Sequence, residues 1–134
     1  MENIYRKISD LSLYEYPDIV EDAQTHYTSS GAPAKLRVYI VDGSYLDVWL
    51  SGSGKYSYHW EKRHIQGSMY RHDNAPHPKW NHVKTFPKHY HEGADDRVQE
   101  SYIQDDPMQA VRTILTFIRE KLGSSKSDPA QHNP

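Results

Sequence analysis

The sequence has 134 residues, of which 36% are hydrophobic and 12% aromatic, and its formal net charge is −2. This length fits a single domain, and the aromatic content excludes a chain that is disordered throughout. Because no run approaches 18 apolar residues, we expect no membrane-spanning helix. The chain has no cysteine, which excludes disulfides, a thiolate nucleophile and cysteine-bound zinc. The N-terminal residues MENIYRKISD lack the apolar region of a secretory signal, so we expect a cytoplasmic, prokaryotic protein.

The first half of the chain predicts a short helix followed by strands that are joined by tight turns. Apolar residues at helical spacing predict the helix over residues 2–13, and residues 19–29 predict a first strand. Further stretches have the period of a strand, and they are residues 36–41, 45–50, 56–60 and 65–70. Between two of them, Asp42-Gly43 is typical of a type I′ hairpin turn. The pattern therefore predicts an antiparallel meander of four or five strands.

The second half predicts a long loop and then a helix. Residues 73–96 are rich in histidine and proline without a sustained period, which is typical of a functional loop. An amphipathic helix follows, with Asp106 suited to its N-cap and Gly123 to the position just after its end. We therefore predict an α+β fold with this helix packed on the sheet. A single domain is expected over residues 1–122, followed by a flexible polar tail over 123–134.

Positive charge and histidine are concentrated in the middle of the chain. The segment from Lys55 to His91 contains seven lysines and arginines and two acidic residues, so it carries +5 and the remainder −7. Seven of the nine histidines lie in the same segment. This composition indicates a phosphate or nucleic-acid site, although a solvated basic face has the same composition. Charge alone leaves both interpretations open.

Candidate catalytic residues occur in this basic segment. They are Arg71, Asp73, His77, His89 and His91. Two histidines could cleave an RNA phosphodiester, one accepting the proton of the ribose 2′-hydroxyl and the other protonating the leaving oxygen, while arginine stabilises the negative charge. This chemistry requires no metal and no other cofactor. The residues assigned to substrate binding are Asn74, Lys84 and Lys88.

A metal site is a second interpretation of the same residues. Asp73, His77, His89 and His91 offer imidazole and carboxylate ligands for a divalent ion. If residues 89–91 are extended, the two histidines share a face, and His-x-His on a strand is a feasible chelating pair. The spacing of the four residues matches no established metal motif.

A purely structural interpretation is the third. Arg71 and Asp73 would then form an ion pair, and the histidines of the loop would stack on Trp80 or Phe86. The alternating aromatic residues of the 56–60 strand have two interpretations as well, because they could stack nucleobases but are more often part of a core.

The motif YRHDNAPH from Tyr70 and the motif KTFPKHYHEG from Lys84 resemble the signature of the TumE family of toxins from prokaryotic type II toxin–antitoxin systems. The strands LRVYIVDGSYLDVW and YSYHWEK resemble that family as well, and the similarity covers residues 19–122. The chain departs from the family pattern at His72, where an aromatic residue is more common, and at Pro78 and Lys88, where histidine is.

The resemblance implies a toxin that inhibits growth and is neutralised by a cognate antitoxin protein. By analogy with other small cytoplasmic toxins, RNA is the expected target and RNA cleavage the expected activity. The alternatives are a non-enzymatic module that binds RNA or the antitoxin, and a protein that binds a divalent metal through histidine and aspartate. Whether the chain forms a homodimer stays open.

Overall fold

The computed structural model describes residues 1–93 and 96–126. Its helices and strands, in chain order, are α1 (Glu2–Glu15), β1 (Val20–Tyr27), β2 (Pro33–Ile40), β3 (Tyr45–Leu50), β4 (Tyr56–Lys62), α2 (Arg63–Gln66), β5 (Ser68–Asp73), a 3-10 helix (Pro78–Trp80), β6 (His89–Glu92), β7 (Val98–Glu100) and α3 (Pro107–Lys126). Among these residues, no helix combines the length and the apolar character that crossing a membrane requires.

The strands form one antiparallel sheet in which each strand pairs with its neighbours in the chain. The predicted α+β meander is therefore confirmed. The sheet has seven strands rather than the four or five expected, because β6 and β7 form within and just after the predicted loop. Both strands are short and mostly polar, with the sequences His-Tyr-His-Glu and Val-Gln-Glu. Apolar and polar residues do not alternate in them, so the sequence pattern does not predict a strand.

Two helices cover one face of the sheet, which we call the inner face; the opposite face is the outer face. The buried side chains of β2 to β4 alternate with partly exposed ones, as a sheet with one face on the core requires. From α3, Phe117 stacks on Tyr70 of β5 with ring centroids 4.5 Å apart and meets Trp60 of β4 edge-on at 6.1 Å. Helix α3 therefore packs on the sheet as predicted.

The aromatic residues of β4 belong to this core. Tyr56, Tyr58 and Trp60 are 7%, 1% and 1% exposed, and the Trp60 indole Nε1–H donates to Ser44 Oγ at 2.9 Å. Burial on the inner face removes the ring faces of Tyr58 and Trp60 from solvent, so these rings do not present a stacking surface for nucleobases. The core interpretation is the correct one for them.

Three local predictions were wrong. The strand predicted over residues 65–70 begins only at Ser68, because the residues up to Gln66 form α2. In the turn at Asp42-Gly43 only Gly43 has a positive φ, of 90°, and its N–H donates to Ile40 O at 3.0 Å. The hairpin thus has a three-residue loop with glycine in the left-handed region, not a type I′ turn. Helix α3 continues through Gly123 to Lys126, so Gly123 does not follow the end of the helix. The rest of the predicted tail, 127–134, lies outside the described residues.

The start of α3 is as predicted. Asp106 Oδ2 accepts a hydrogen bond of 3.0 Å from the backbone N–H of Gln109, and Pro107 is the first helical residue. The carboxylate satisfies one of the backbone donors that a helix N-terminus leaves unpaired.

Candidate functional site

Strands β5 and β6 bring four of the five candidate catalytic residues onto the outer face. In the antiparallel register Arg71 lies opposite His91 and Asp73 lies opposite His89. Since residues two apart in a strand share a face, the four side chains project together. We call Arg71, Asp73, His89 and His91 the Asp73 cluster.

The Asp73 carboxylate is the centre of this cluster. Its Oδ2 accepts a 2.9 Å hydrogen bond from Arg71 Nε and lies 3.8 Å from His91 Nε2. Its Oδ1 accepts a 3.0 Å hydrogen bond from the backbone N–H of Ala75 and lies 3.1 Å from His89 Nε2. Each oxygen of this carboxylate thus accepts a hydrogen bond, Oδ2 from a guanidinium and Oδ1 from a backbone N–H, and an imidazole nitrogen lies close to each.

The members of the cluster differ in their access to solvent. The side chains of His89 and His91 are each 1% exposed, whereas Asp73 is 10% and Arg71 28% exposed. The indole of Trp80, on the 3-10 helix, lies over the two imidazoles, with centroid distances of 6.0 Å to His89 and 5.4 Å to His91. Arg71 is therefore the part of the cluster that a large ligand can reach.

A cleft of about 380 Å³ adjoins the cluster on the side of Arg71 and Asp73. Its remaining lining residues come from the β3–β4 hairpin and from the segment after β5, and they are Trp49, Lys55, Tyr56, Ser57, Asn74, Ala75 and Pro76. The Asn74 side chain joins these two segments, because its Oδ1 accepts from Tyr56 N and its Nδ2 donates to Gly54 O, each at 3.0 Å. The cleft is thus lined by two cations, Lys55 and Arg71, and by Trp49, and Asn74 connects its two sides.

Ion pairs extend along the same outer face. Asp47 is bridged by Lys35 at 2.9 Å and by Arg37 through two hydrogen bonds, and these two contacts hold its pKa below the usual value against the effect of burial. Glu61 accepts from Arg63 and His59, and the pKa of its carboxyl is lowered to about 2, mainly by Arg63. Asp47 thus holds two cations, Lys35 and Arg37, on the strand next to β3.

His72 lies between two members of the cluster in sequence but faces the inner side of the sheet. Its Nε2 forms a hydrogen bond with the Tyr70 hydroxyl and its Nδ1 with Ser101 Oγ, each at 2.6 Å. Its ring stacks on that of Tyr90, with the centroids 4.9 Å apart. Burial lowers the pKa of His72 to about 4, so the ring is neutral near pH 7. His72 is therefore a buried histidine whose two ring nitrogens both have hydrogen-bond partners.

The other predicted site residues lie outside the cluster. His77 is exposed at the start of the 3-10 helix, where its Nδ1 accepts from Lys79 N at 3.1 Å, and its ring neighbours Trp80 with centroids 6.2 Å apart. Lys84 is exposed and lines a separate cavity beside β7. Lys88 donates through Nζ to Ile103 O and lies 3.2 Å from Asp105, so it ties β6 to the segment before α3.

Sequence reasoning assigned no role to two residues that shape the site, Trp49, which is 41% exposed, and Lys55, both of which line the cleft. Trp80, which the structural interpretation named as a partner for the loop histidines, lies against His89 and His91. A signal for Trp49 was present, because this tryptophan alternates with the apolar residues of β3 and must therefore lie on the opposite, polar face.

Fold and site together describe a small α+β domain with a basic cleft at one end of an antiparallel sheet. Residues 10–122 match the sequence model of the family described as Toxin TumE, and the chain belongs to this family. The protein is therefore a toxin, as its resemblance implied. No curated protein and no solved structure matches the chain significantly.

Proposed function

We propose that this toxin binds single-stranded RNA in the Arg71 cleft and cleaves its backbone in the cytoplasm, and that a cognate antitoxin protein neutralises it. The observation that carries the proposal is the position of Arg71, which lines the cleft while Asp73 holds its Nε. An arginine oriented in this way presents a planar guanidinium to a phosphate.

The rest of the lining suits a nucleic acid. Lys55 adds a second positive charge, and the half-exposed ring of Trp49 offers a flat surface on which a base can stack. Positive charge that follows the backbone and aromatic rings that receive the bases are the two features of single-strand binding. Neither feature selects a particular base, so we expect weak sequence preference from the cleft itself.

The burial of two histidines modifies the catalytic assignment. A ribose hydroxyl cannot touch His89 or His91 while Trp80 covers them, since each is 1% exposed. His77 is exposed and directly follows Pro76, which lines the cleft. We therefore assign proton transfer to His77, stabilisation of the phosphorane charge to Arg71 and Lys55, and the positioning of Asp73 and Arg71 to His89 and His91.

The experiment uses growth arrest and RNA cleavage by matched variants. The wild-type chain, Arg71→Ala and Arg6→Ala are expressed to equal soluble levels from a controlled promoter, and Arg6 is an exposed arginine on α1 that serves as the control. Wild type and Arg6→Ala should arrest growth and cleave single-stranded RNA, and Arg71→Ala should do neither. Arrest by Arg71→Ala at the wild-type level would contradict the proposal.

The same burial favours a second candidate, an RNA-binding toxin without cleavage. If His77 takes no part in chemistry, no exposed imidazole is available at the cleft among the described residues. RNA would then bind in an Arg71-dependent manner and be recovered intact. Gel analysis of the bound RNA separates the two candidates, because cleavage through the 2′-hydroxyl leaves products that end in a 2′,3′-cyclic phosphate.

A further inference from the structure

We propose that Asp73, His89 and His91 form a binding site for one divalent transition-metal ion of the Zn²⁺ class. One ligand atom from each of the three residues, all of which are buried, lies within 4.8 Å of the other two. The inference concerns this metal site alone and does not depend on RNA binding.

The surroundings of His89 fix which of its ring nitrogens carries the hydrogen. Its Nδ1 lies 2.7 Å from the carbonyl oxygen of Pro87, and a carbonyl can only accept a hydrogen bond. The hydrogen of a neutral His89 ring is therefore on Nδ1. The lone pair of Nε2 then faces Asp73 Oδ1 at a distance of 3.1 Å. Both atoms are hydrogen-bond acceptors in that state, so no hydrogen bond forms between them. A cation between these atoms converts the repulsive contact into a favourable one.

The spacing of the ligand atoms suits a metal ion. Bonds of about 2.0–2.1 Å in a tetrahedral zinc site place neighbouring ligand atoms about 3.3–3.4 Å apart. Asp73 Oδ1 lies 3.1 Å from His89 Nε2, close to that value, and one ligand atom from each of the three residues lies within 4.8 Å of the other two. Two imidazoles and one carboxylate are an ordinary donor set for zinc, iron or nickel.

Residues next to the proposed ligands hold the ligand side chains in place through hydrogen bonds. Pro87 O orients His89, which is the arrangement that metal-bound histidines commonly have. An ion held by Asp73 Oδ1 leaves Oδ2 to Arg71 Nε, so the guanidinium stays bonded to the ligating carboxylate. Because β5 and β6 are paired strands and Trp80 covers the imidazoles, the three ligands are held before the ion arrives. The positive charge of Arg71 opposes the ion and limits its affinity.

Direct metal binding tests the proposal on the full chain, purified without a histidine tag. Chelator-treated protein is titrated with Zn²⁺ by calorimetry and with Co²⁺ by visible absorption. We expect about one equivalent per chain, the visible bands of a nitrogen- and oxygen-ligated cobalt ion, and a shift of the Trp80 indole resonance. Asp73→Asn and His91→Gln should each weaken Zn²⁺ binding by about 10-fold or more, whereas His82→Gln, an exposed histidine in the same region, should bind like wild type.

The wild-type protein can overturn the proposal by itself, whether or not a variant folds. Absence of Zn²⁺ or Co²⁺ binding to the folded wild-type chain would reject the site. Equal weakening by His82→Gln and by His91→Gln would also reject the site, because it would place the ion elsewhere. RNA binding measured in chelator reports on the Arg71 cleft separately, so failure of either proposal can be recognised on its own.

Discussion

The two faces of β5 and β6 use the same residue types for different purposes. On the inner face His72 is bonded to two hydroxyl groups and stacked on Tyr90, and burial keeps it neutral. On the outer face His89 and His91 surround an aspartate that is bonded to an arginine. Histidine content alone therefore does not identify a site. What distinguishes the outer face is a charged partner and an adjoining cleft.

The two faces also differ in what covers them. Phe117 of α3 stacks on the inner face at Tyr70, so that side is closed by a complete helix. A single residue of a 3-10 helix, Trp80, covers the outer histidines, and the neighbouring Arg71 stays 28% exposed. We expect substitutions on the inner face to change stability and substitutions on the outer face to change activity.

The largest effect on stability is expected from Trp60→Ala. Trp60 is fully buried on the inner face, meets Phe117 edge-on and donates to Ser44 Oγ. Its removal should lower the free energy of unfolding by about 3–5 kcal/mol. The matched control is Trp49→Ala on the outer face, 41% exposed, with an expected change within about 0.5 kcal/mol. Urea unfolding of both variants measures this, and equal losses would abolish the division between the faces.

The largest effect on activity is expected from Arg71→Ala. Loss of the guanidinium should lower the rate of RNA cleavage by about 10²–10³-fold, because it removes charge stabilisation at the phosphate. The melting temperature should change little, since Arg71 is partly exposed and Asp73 keeps its hydrogen bond with Ala75 N. Arg71→Lys should restore only part of the rate, because an ammonium cannot form the planar two-point contact. A large loss of stability with an unchanged rate would refute this assignment.

A smaller, mixed effect is expected from Asp73→Asn. The amide oxygen can still accept from Ala75 N, but the negative charge next to Arg71 is lost, which should destabilise the fold by about 1–3 kcal/mol. Activity should fall less than in His77→Ala, because Asp73 acts through its neighbours. Asp105→Asn, at an aspartate whose side chain is 93% exposed, is the control. Thermal unfolding and cleavage rates of the three variants provide the comparison.

The smallest effect concerns the acid stability of the outer face. Arg63 and His59 hold the pKa of Glu61 at about 2, below its usual value of 4.5, so the folded protein keeps this carboxylate ionised where the unfolded chain protonates it. The resulting stabilisation is present above about pH 4.5 and is lost as pH falls toward 2. Glu61→Gln should therefore show a shallower loss of stability over this interval, and Glu21→Gln, at an exposed position on β1, should behave like wild type. Identical acid unfolding curves for wild type and Glu61→Gln would disprove the effect.

Much of the fold follows from apolar periodicity. Buried and partly exposed residues alternate along β2 and β4, and the apolar residues of α3 recur at helical spacing. Asp106 caps the N-terminus of α3, as its short polar side chain predicts. Strands β6 and β7 could not be predicted in this way. His89 and His91 are buried by pairing with Asp73 and by Trp80, and both of these contacts come from other parts of the chain.

Of the site, only the contacts between residues close together in the sequence could be predicted. Arg71 and Asp73 are two residues apart in a strand, so their contact and their common face follow from the period of two. The exposure of each group does not follow from sequence. It depends on how the segment that follows β5 packs against the sheet. This packing buries His89 and His91 and leaves His77 exposed to solvent.

The three tryptophans lie in three different regions of the molecule, so their indole N–H resonances test the proposed RNA site most directly. Trp49 lines the cleft, Trp80 covers the outer histidines, and Trp60 lies in the core. Titration of a short single-stranded RNA, non-cleavable because its 2′-hydroxyls are methylated, should shift the Trp49 signal strongly and leave Trp60 unchanged. Binding that leaves Trp49 unmoved, or the absence of binding at low salt, would contradict the assignment of the cleft as the site where this toxin engages RNA.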